Sequence, residues 1–229
     1  MPLRVTPGMM HLQLTRNLNR TLTEMTKLQE QMTTGRKINR ASDDPVGITY
    51  SLRYRSELQA NEQYQKNIDM ALSWLDFNDT VLQQAQDVLK RLKELAVQGA
   101  NGTNPDVALD NIADEVEQLK DQMIDIANST LNGKYVFNGE QTNVKPYDTS
   151  APSFDPSTVQ TDTGAIYYMV GVGVKLQINL SGSDVFGRPG ENDNVFKVFD
   201  RIISALRNGN HQGVADEISN IESRMDKIL

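Results

Sequence analysis

Residues 68–96 read IDMALSWLDFNDTVLQQAQDVLKRLKELA, and in this stretch Ile68, Leu75, Leu82, Leu89 and Ala96 recur every seven residues, accompanied by Ala71, Ala85 and Leu92. A seven-residue apolar repeat keeps one seam of a helix facing a partner helix, as in a coiled coil. The helical pattern extends from Ile48 to Val97. At 1.5 Å per residue it spans about 75 Å, more than an ordinary domain is wide. The fold class predicted is mainly α, an elongated, coiled-coil-like helical rod.

Downstream, Gly99-Ala-Asn-Gly-Thr-Asn-Pro105 is a turn, with Asn104 expected as the cap and Pro105 opening the next helix. Leu109, Ile112, Val116, Leu119, Met123 and Ile126 then fall three and four apart, which predicts a helix returning antiparallel along the first and ending at Asn132-Gly133. The expected rod core is therefore Ile68, Leu75, Leu82 and Leu89 against Ile112, Val116, Leu119 and Met123.

Upstream, Leu14, Leu18, Leu22, Met25, Leu28 and Met32 line one narrow face of an earlier helix. Thr33-Thr34-Gly35 interrupts it, Arg36-Lys37-Ile38-Asn39-Arg40 is basic, and Ala41-Ser42-Asp43-Asp44-Pro45 restarts a helix with Asp44 as N-cap. A stripe of this kind is ordinarily core. No other segment is left to cover this one, so it reads as an assembly interface or as the seat of a further C-terminal helix. The interface expected comprises Leu14, Leu18, Leu22, Met25, Leu28 and Met32 with Arg36, Lys37, Asn39, Asp43 and Asp44 of the loop. Residues 1 to about 40 are expected to be disordered or differently packed in the isolated chain, because a lone helix is marginal in water.

From Lys134 to Pro189 the pattern changes to short β-rich runs, Tyr135-Val-Phe137, Ile166–Val170 and Val174–Leu180, between Gly, Pro, Ser and Asp clusters. Pro146 to Thr163 reads as an exposed, mobile loop. Helical spacing returns with Val195, Phe199, Ile202, Ile203 and Leu206, then with Val214, Ile218, Ile221, Met225 and Ile228. The last helix shows no stop signal before Leu229, which suggests a longer native helix. The division expected is 1–44 as assembly helix and loop, 45–133 with 191–229 as rod, and 134–190 as an inserted β domain, an α+β arrangement.

Composition narrows the functional classes. Aromatics are only 6% of the 229 residues and charged residues 23%, which suits long helices better than a thick core. Residues 1–60 hold nine Lys/Arg against five Asp/Glu (+4), so the net charge of -7 leaves the remainder at -11 and disfavours nucleic acid. There is no cysteine, and neither a cleavable apolar leader nor a run able to insert into a membrane is visible. His11 and His211 cannot complete a usual zinc site and read as solvated. The Gly-x-Gly of Val170–Val174 lies inside a β run, where a twisted or bulged strand explains it better than a phosphate cradle. No catalytic constellation is present, and neither cofactor nor metal is expected.

The stretch Gln31-Met-Thr-Thr-Gly-Arg-Lys-Ile-Asn-Arg-Ala-Ser-Asp-Asp-Pro-Val-Gly47 resembles the bacterial flagellin superfamily, as does Leu92-Lys-Glu-Leu-Ala-Val-Gln98 with Asn101. The resemblance covers at least residues 1 to 140. Arg4-Val-Thr-Pro-Gly-Met9, Ser73-Trp-Leu75 and Asn132-Gly-Lys-Tyr-Val-Phe-Asn-Gly139 look most like its hook–filament junction members. That resemblance implies a non-enzymatic subunit that leaves the cell through the flagellar type III export apparatus with an export chaperone and without a cleaved signal peptide. It would then assemble with itself in a ring, between another flagellar junction protein and flagellin. A flagellin filament subunit, a secreted coiled-coil binding module and a carboxylate enzyme in the β region are the alternatives.

Overall fold

The computed structural model describes residues 6–150 and 154–228. Arg4 and Val5 of the N-terminal motif, Pro152 of the expected loop and the terminal Leu229 lie outside the described residues. The chain divides into two compact units, Met1–Gln63 and Tyr64–Leu229. The division falls inside the long helix.

The first unit begins with α1, Pro7–Thr34, which starts on a proline where no donor is needed and closes on Gly35 in the left-handed region (φ 65°). None of its residues is buried. The helix α2, Pro45–Gly99, then runs 55 residues without a break.

In the second unit α3, Asp106–Ala127, doubles back beside α2, with Arg91 Nη2 2.6 Å from Glu115 Oε1. Pro105 is its N-cap and carries no side-chain cap bond, while Asn104 Nδ2 donates to Gln98 O (2.6 Å) and so closes α2 instead. Asn132-Gly133 does not end α3. With φ values of 52° and 77° the two residues form the left-handed turn between β1, Thr130–Leu131, and β2, Lys134–Tyr135.

A second antiparallel hairpin joins β3, Tyr167–Gly171, to β4, Val174–Gln177, with a bulge between Met169 and Gly171. The helices α4, Gly182–Phe186, α5, Val195–Arg207, and α6, His211–Ile228, complete the order. His211 is half-buried and its Nδ1 lies 2.8 Å from Gly99 O, so it is tied to the end of α2 and not solvated as expected.

The β-rich segment has no core of its own. Phe137 and Tyr147 meet Phe186 edge-on, and Tyr147 and Phe186 lie tilted against Phe196 of α5, at centroid distances of 5.0 to 6.0 Å, and one apolar cluster includes them all. Tyr147, Pro156 and Thr161 are buried, so much of the stretch expected as an exposed loop is packed into the unit. The fold is mainly α with an inserted β part.

Of the seam expected along α2, the accompanying positions Ala71, Ala85 and Leu92 are buried, and the leading column is buried only at its C-terminal end, at Leu89 and Ala96. Ala71, Asn78, Ala85, Leu92 and Gly99 form one buried column, and Trp74, Val81, Val88 and Leu95 the other. Ile68 and Leu75 are exposed (39% and 37%) and Leu82 half-buried, whereas Leu89 is buried. The small residues of the buried seam let α2 approach its neighbours closely: a Cβ on Gly99 would stand 2.5 Å from Leu206 Cδ2. On α3, Ile112, Val116 and Met123 are buried and Leu119 half-buried.

Candidate assembly surface

The residues singled out at the N-terminal end fall into three groups. The stripe residues Leu14, Leu18, Leu22, Met25, Leu28 and Met32 all lie on α1 and are 52 to 86% exposed. Apolar residues at that spacing on a fully exposed helix are an incomplete packing surface. The polar side of α1 is largely self-satisfied: the hydroxyls of Thr15, Thr21, Thr23, Thr26, Thr33 and Thr34 each donate to the carbonyl four residues back, at 2.8 to 3.0 Å.

The loop after α1 is built from its own side chains. Gly35 N–H donates to Gln31 O (2.9 Å), Gln31 Nε2 donates to Lys37 O (2.7 Å), and the Thr34 hydroxyl reaches Asn39 Oδ1 (2.9 Å). Asp43 is the centre of the loop. Its Oδ2 accepts from the backbone of Arg40 (3.1 Å) and Asn39 (3.4 Å), and its Oδ1 lies 3.2 Å from Lys27 Nζ of α1. The Arg40 amide and then the Lys27 ammonium hold its carboxyl below the usual carboxylate range. Arg40 itself reaches back to Glu30 (3.3 Å).

Asp44 caps α2, its Oδ1 accepting from Gly47 N–H (2.9 Å). Gly47 is needed there, because a Cβ would collide with the Asp44 carboxylate and stand 2.8 Å from Ile38 Cδ1.

Asn39, Asp43 and Asp44 are thus occupied inside the loop. Arg36 and Lys37 are different: both are exposed, and neither side chain has a hydrogen bond or ion pair to any described residue. The loop is a fixed backbone that presents two uncommitted cations. Sequence reasoning grouped all five residues together, since spacing alone does not tell a carboxylate that builds a turn from one that meets a partner.

No group of three or more His, Asp or Glu residues able to hold a metal occurs among the described residues, and no described helix is long and apolar enough to cross a membrane.

The loop, the helix before it and the helix pair after it fall within residues 5–142, which match the bacterial flagellin N-terminal helical region. This chain belongs to that flagellin family.

Two curated relatives are flagellar hook-associated protein 3 of Salmonella typhimurium, 27% identical over 90% of this chain, and of Escherichia coli, 28% identical over 88%. The chain spans 67% of the first and 58% of the second. A flagellar filament core protein of Treponema maltophilum is 37% identical, but over only 48% of this chain and 39% of its own length. Among solved structures, the flagellar junction protein FlgL of Legionella pneumophila superposes with a TM-score of 0.59 over 81% of this chain and 92% of that one, at 15% identity, and so shares the fold. Within the flagellin family the chain is similar to hook-associated protein 3 along most of its length, and to the filament protein along half of it.

Proposed function

We propose that this chain is a structural, non-enzymatic subunit joining hook to filament in the bacterial flagellum. The observation that carries this reading is the reach of the similarity: the hook-associated relatives align over 90% and 88% of this chain, the filament relative over 48%. Copies would assemble in a ring between another junction protein and flagellin, after type III export with a chaperone and without a cleaved signal. The α1 stripe and the 35–44 loop supply the surfaces for assembly, and the second unit supplies the rigid body.

Deletion of the gene tests the reading. Cells that keep finished hooks while flagellin accumulates as monomer in the medium are the expected result. Loss of the filament with no separate flagellin secreted would make this chain the filament subunit, and unchanged flagella would remove it from the organelle.

A further inference from the structure

Six carboxylates line α3 at Asp106, Asp110, Asp114, Glu117, Asp121 and Asp125, spaced four, four, three, four and four residues apart. At 100° per residue they occupy an arc of about 100° on one face of the helix. All six are exposed. Arg207 pairs with Asp114 and Glu117, and no cation pairs with Asp106, Asp110, Asp121 or Asp125 among the described residues.

This face works against its own helix. Like charges four apart destabilise a helix, and Asp125 stands in a last turn that carries no basic residue, against the dipole. Nothing in the packing of α3 requires them, since its apolar face is a separate set running from Leu109 to Ala127. The loop cations Arg36 and Lys37 present the opposite case, being positive, exposed and unpaired on a fixed backbone.

We propose that the Arg36–Lys37 loop of one copy docks on the acidic α3 face of a second copy. The proposal rests on the assembly reading above and specifies one contact within it. Charge complementarity selects the occupant: residues 1–63 carry nine Lys/Arg and six Asp/Glu (+3), and residues 64–229 carry 14 and 24 (-10), so a second copy offers the sign this loop lacks. A contact from one patch to a different patch is head-to-tail, the kind that propagates into rings or helical arrays.

The test is a charge swap in cells producing the full-length protein. The double variant R36E/K37E is expected to lower the number of filament-bearing cells about tenfold or more, as facing like charges weaken association. Adding D110K/D121K to the same chain should restore it. Co-expressing two differently tagged wild-type copies and applying a zero-length carbodiimide should give a Lys37–α3 carboxylate cross-link between the two tags. Because neither Arg36 nor Lys37 supports the fold, circular dichroism of R36E/K37E should match wild type. Failure of the second pair to restore filaments, or cross-links from Lys37 only to other flagellar proteins, would overturn the contact and leave the junction reading standing.

Discussion

At the scale of single residues, the side chain that commits most to the fold is one the sequence did not single out. Arg224 of α6 is 2% exposed. Its Nε donates to Asp193 O (2.9 Å), its Nη1 to Asp184 O (3.2 Å), and its Nη2 meets Glu191 Oε2 (2.9 Å) and Asp193 Oδ1 (3.0 Å), while Lys227 closes on Asp193 at 2.7 Å. Periodicity predicts a helix there, but an arginine between apolar positions reads as a solvated face, and only long-range packing shows otherwise. The loop carboxylates were legible in part, because the Asp-Pro pair at 44–45 names its own cap, whereas the Asp43 turn depends on the fold of the loop. Burial raises the Asp193 carboxyl, and the Lys227 hydrogen bond and Arg224 charge outweigh it, leaving it below the usual range; Glu191 is lowered by the same balance with Arg224. A depressed folded pKa means that the stabilisation is complete above the ordinary carboxylate value near 4 and is lost as pH falls through the folded value. Replacing Arg224 by Met removes the cation beside Glu191 and the donor to the backbone carbonyls of Asp184, Val185 and Asp193, and leaves the Asp193 carboxylate with Lys227 but without the guanidinium. It should cost about 3 to 5 kcal/mol at neutral pH and less once the pH has fallen through the lowered pKa values of the two carboxylates, read as Tm across a pH series. An equal loss across the series would remove the ion cluster as the cause.

At the scale of elements, the helices were readable and the phase of their packing only in part. Ala71, Ala85 and Leu92 of the expected seam are buried, but its leading column is buried only at Leu89 and Ala96, and the second buried column is Trp74, Val81, Val88 and Leu95. Asn78 and Gly99 weaken the hydrophobic signal of the column they belong to, so its full length was not legible. Asn78 is held by donating to Ile178 O (3.0 Å), a partner 100 residues away that no local pattern reveals. Two leucines of the expected seam give a direct comparison. Leu92→Ala removes a side chain with no exposed surface and should cost about 2 to 5 kcal/mol, while Leu75→Ala should cost less than about 1 kcal/mol, both measured by urea unfolding. Equal costs would return Leu75 to the packed seam.

At the scale of the whole chain, two units divide stability and charge differently. Among the described residues, every buried apolar one lies at Ala71 or later, inside Tyr64–Leu229, while the first unit holds α1 without a buried residue and a loop secured by hydrogen bonds. The family match runs across this division, from residue 5 to 142, so the part of the chain most alike among flagellins includes both a packed half and an unpacked one. A helix that buries nothing is held by its own hydrogen bonds and, here, a few polar contacts to the loop, which in water are marginal, and it gains stability when its stripe is covered. Residues 64–229 alone should therefore unfold in one cooperative transition with a Tm within about 4 °C of the full chain, since about 1 kcal/mol moves a domain of this size by 2 to 4 °C. Residues 1–63 alone should show little helix by circular dichroism. A fragment 64–229 that melts without a transition would mean that the N-terminal unit supports the core, and α1 could then no longer be read as a surface held in reserve for neighbours.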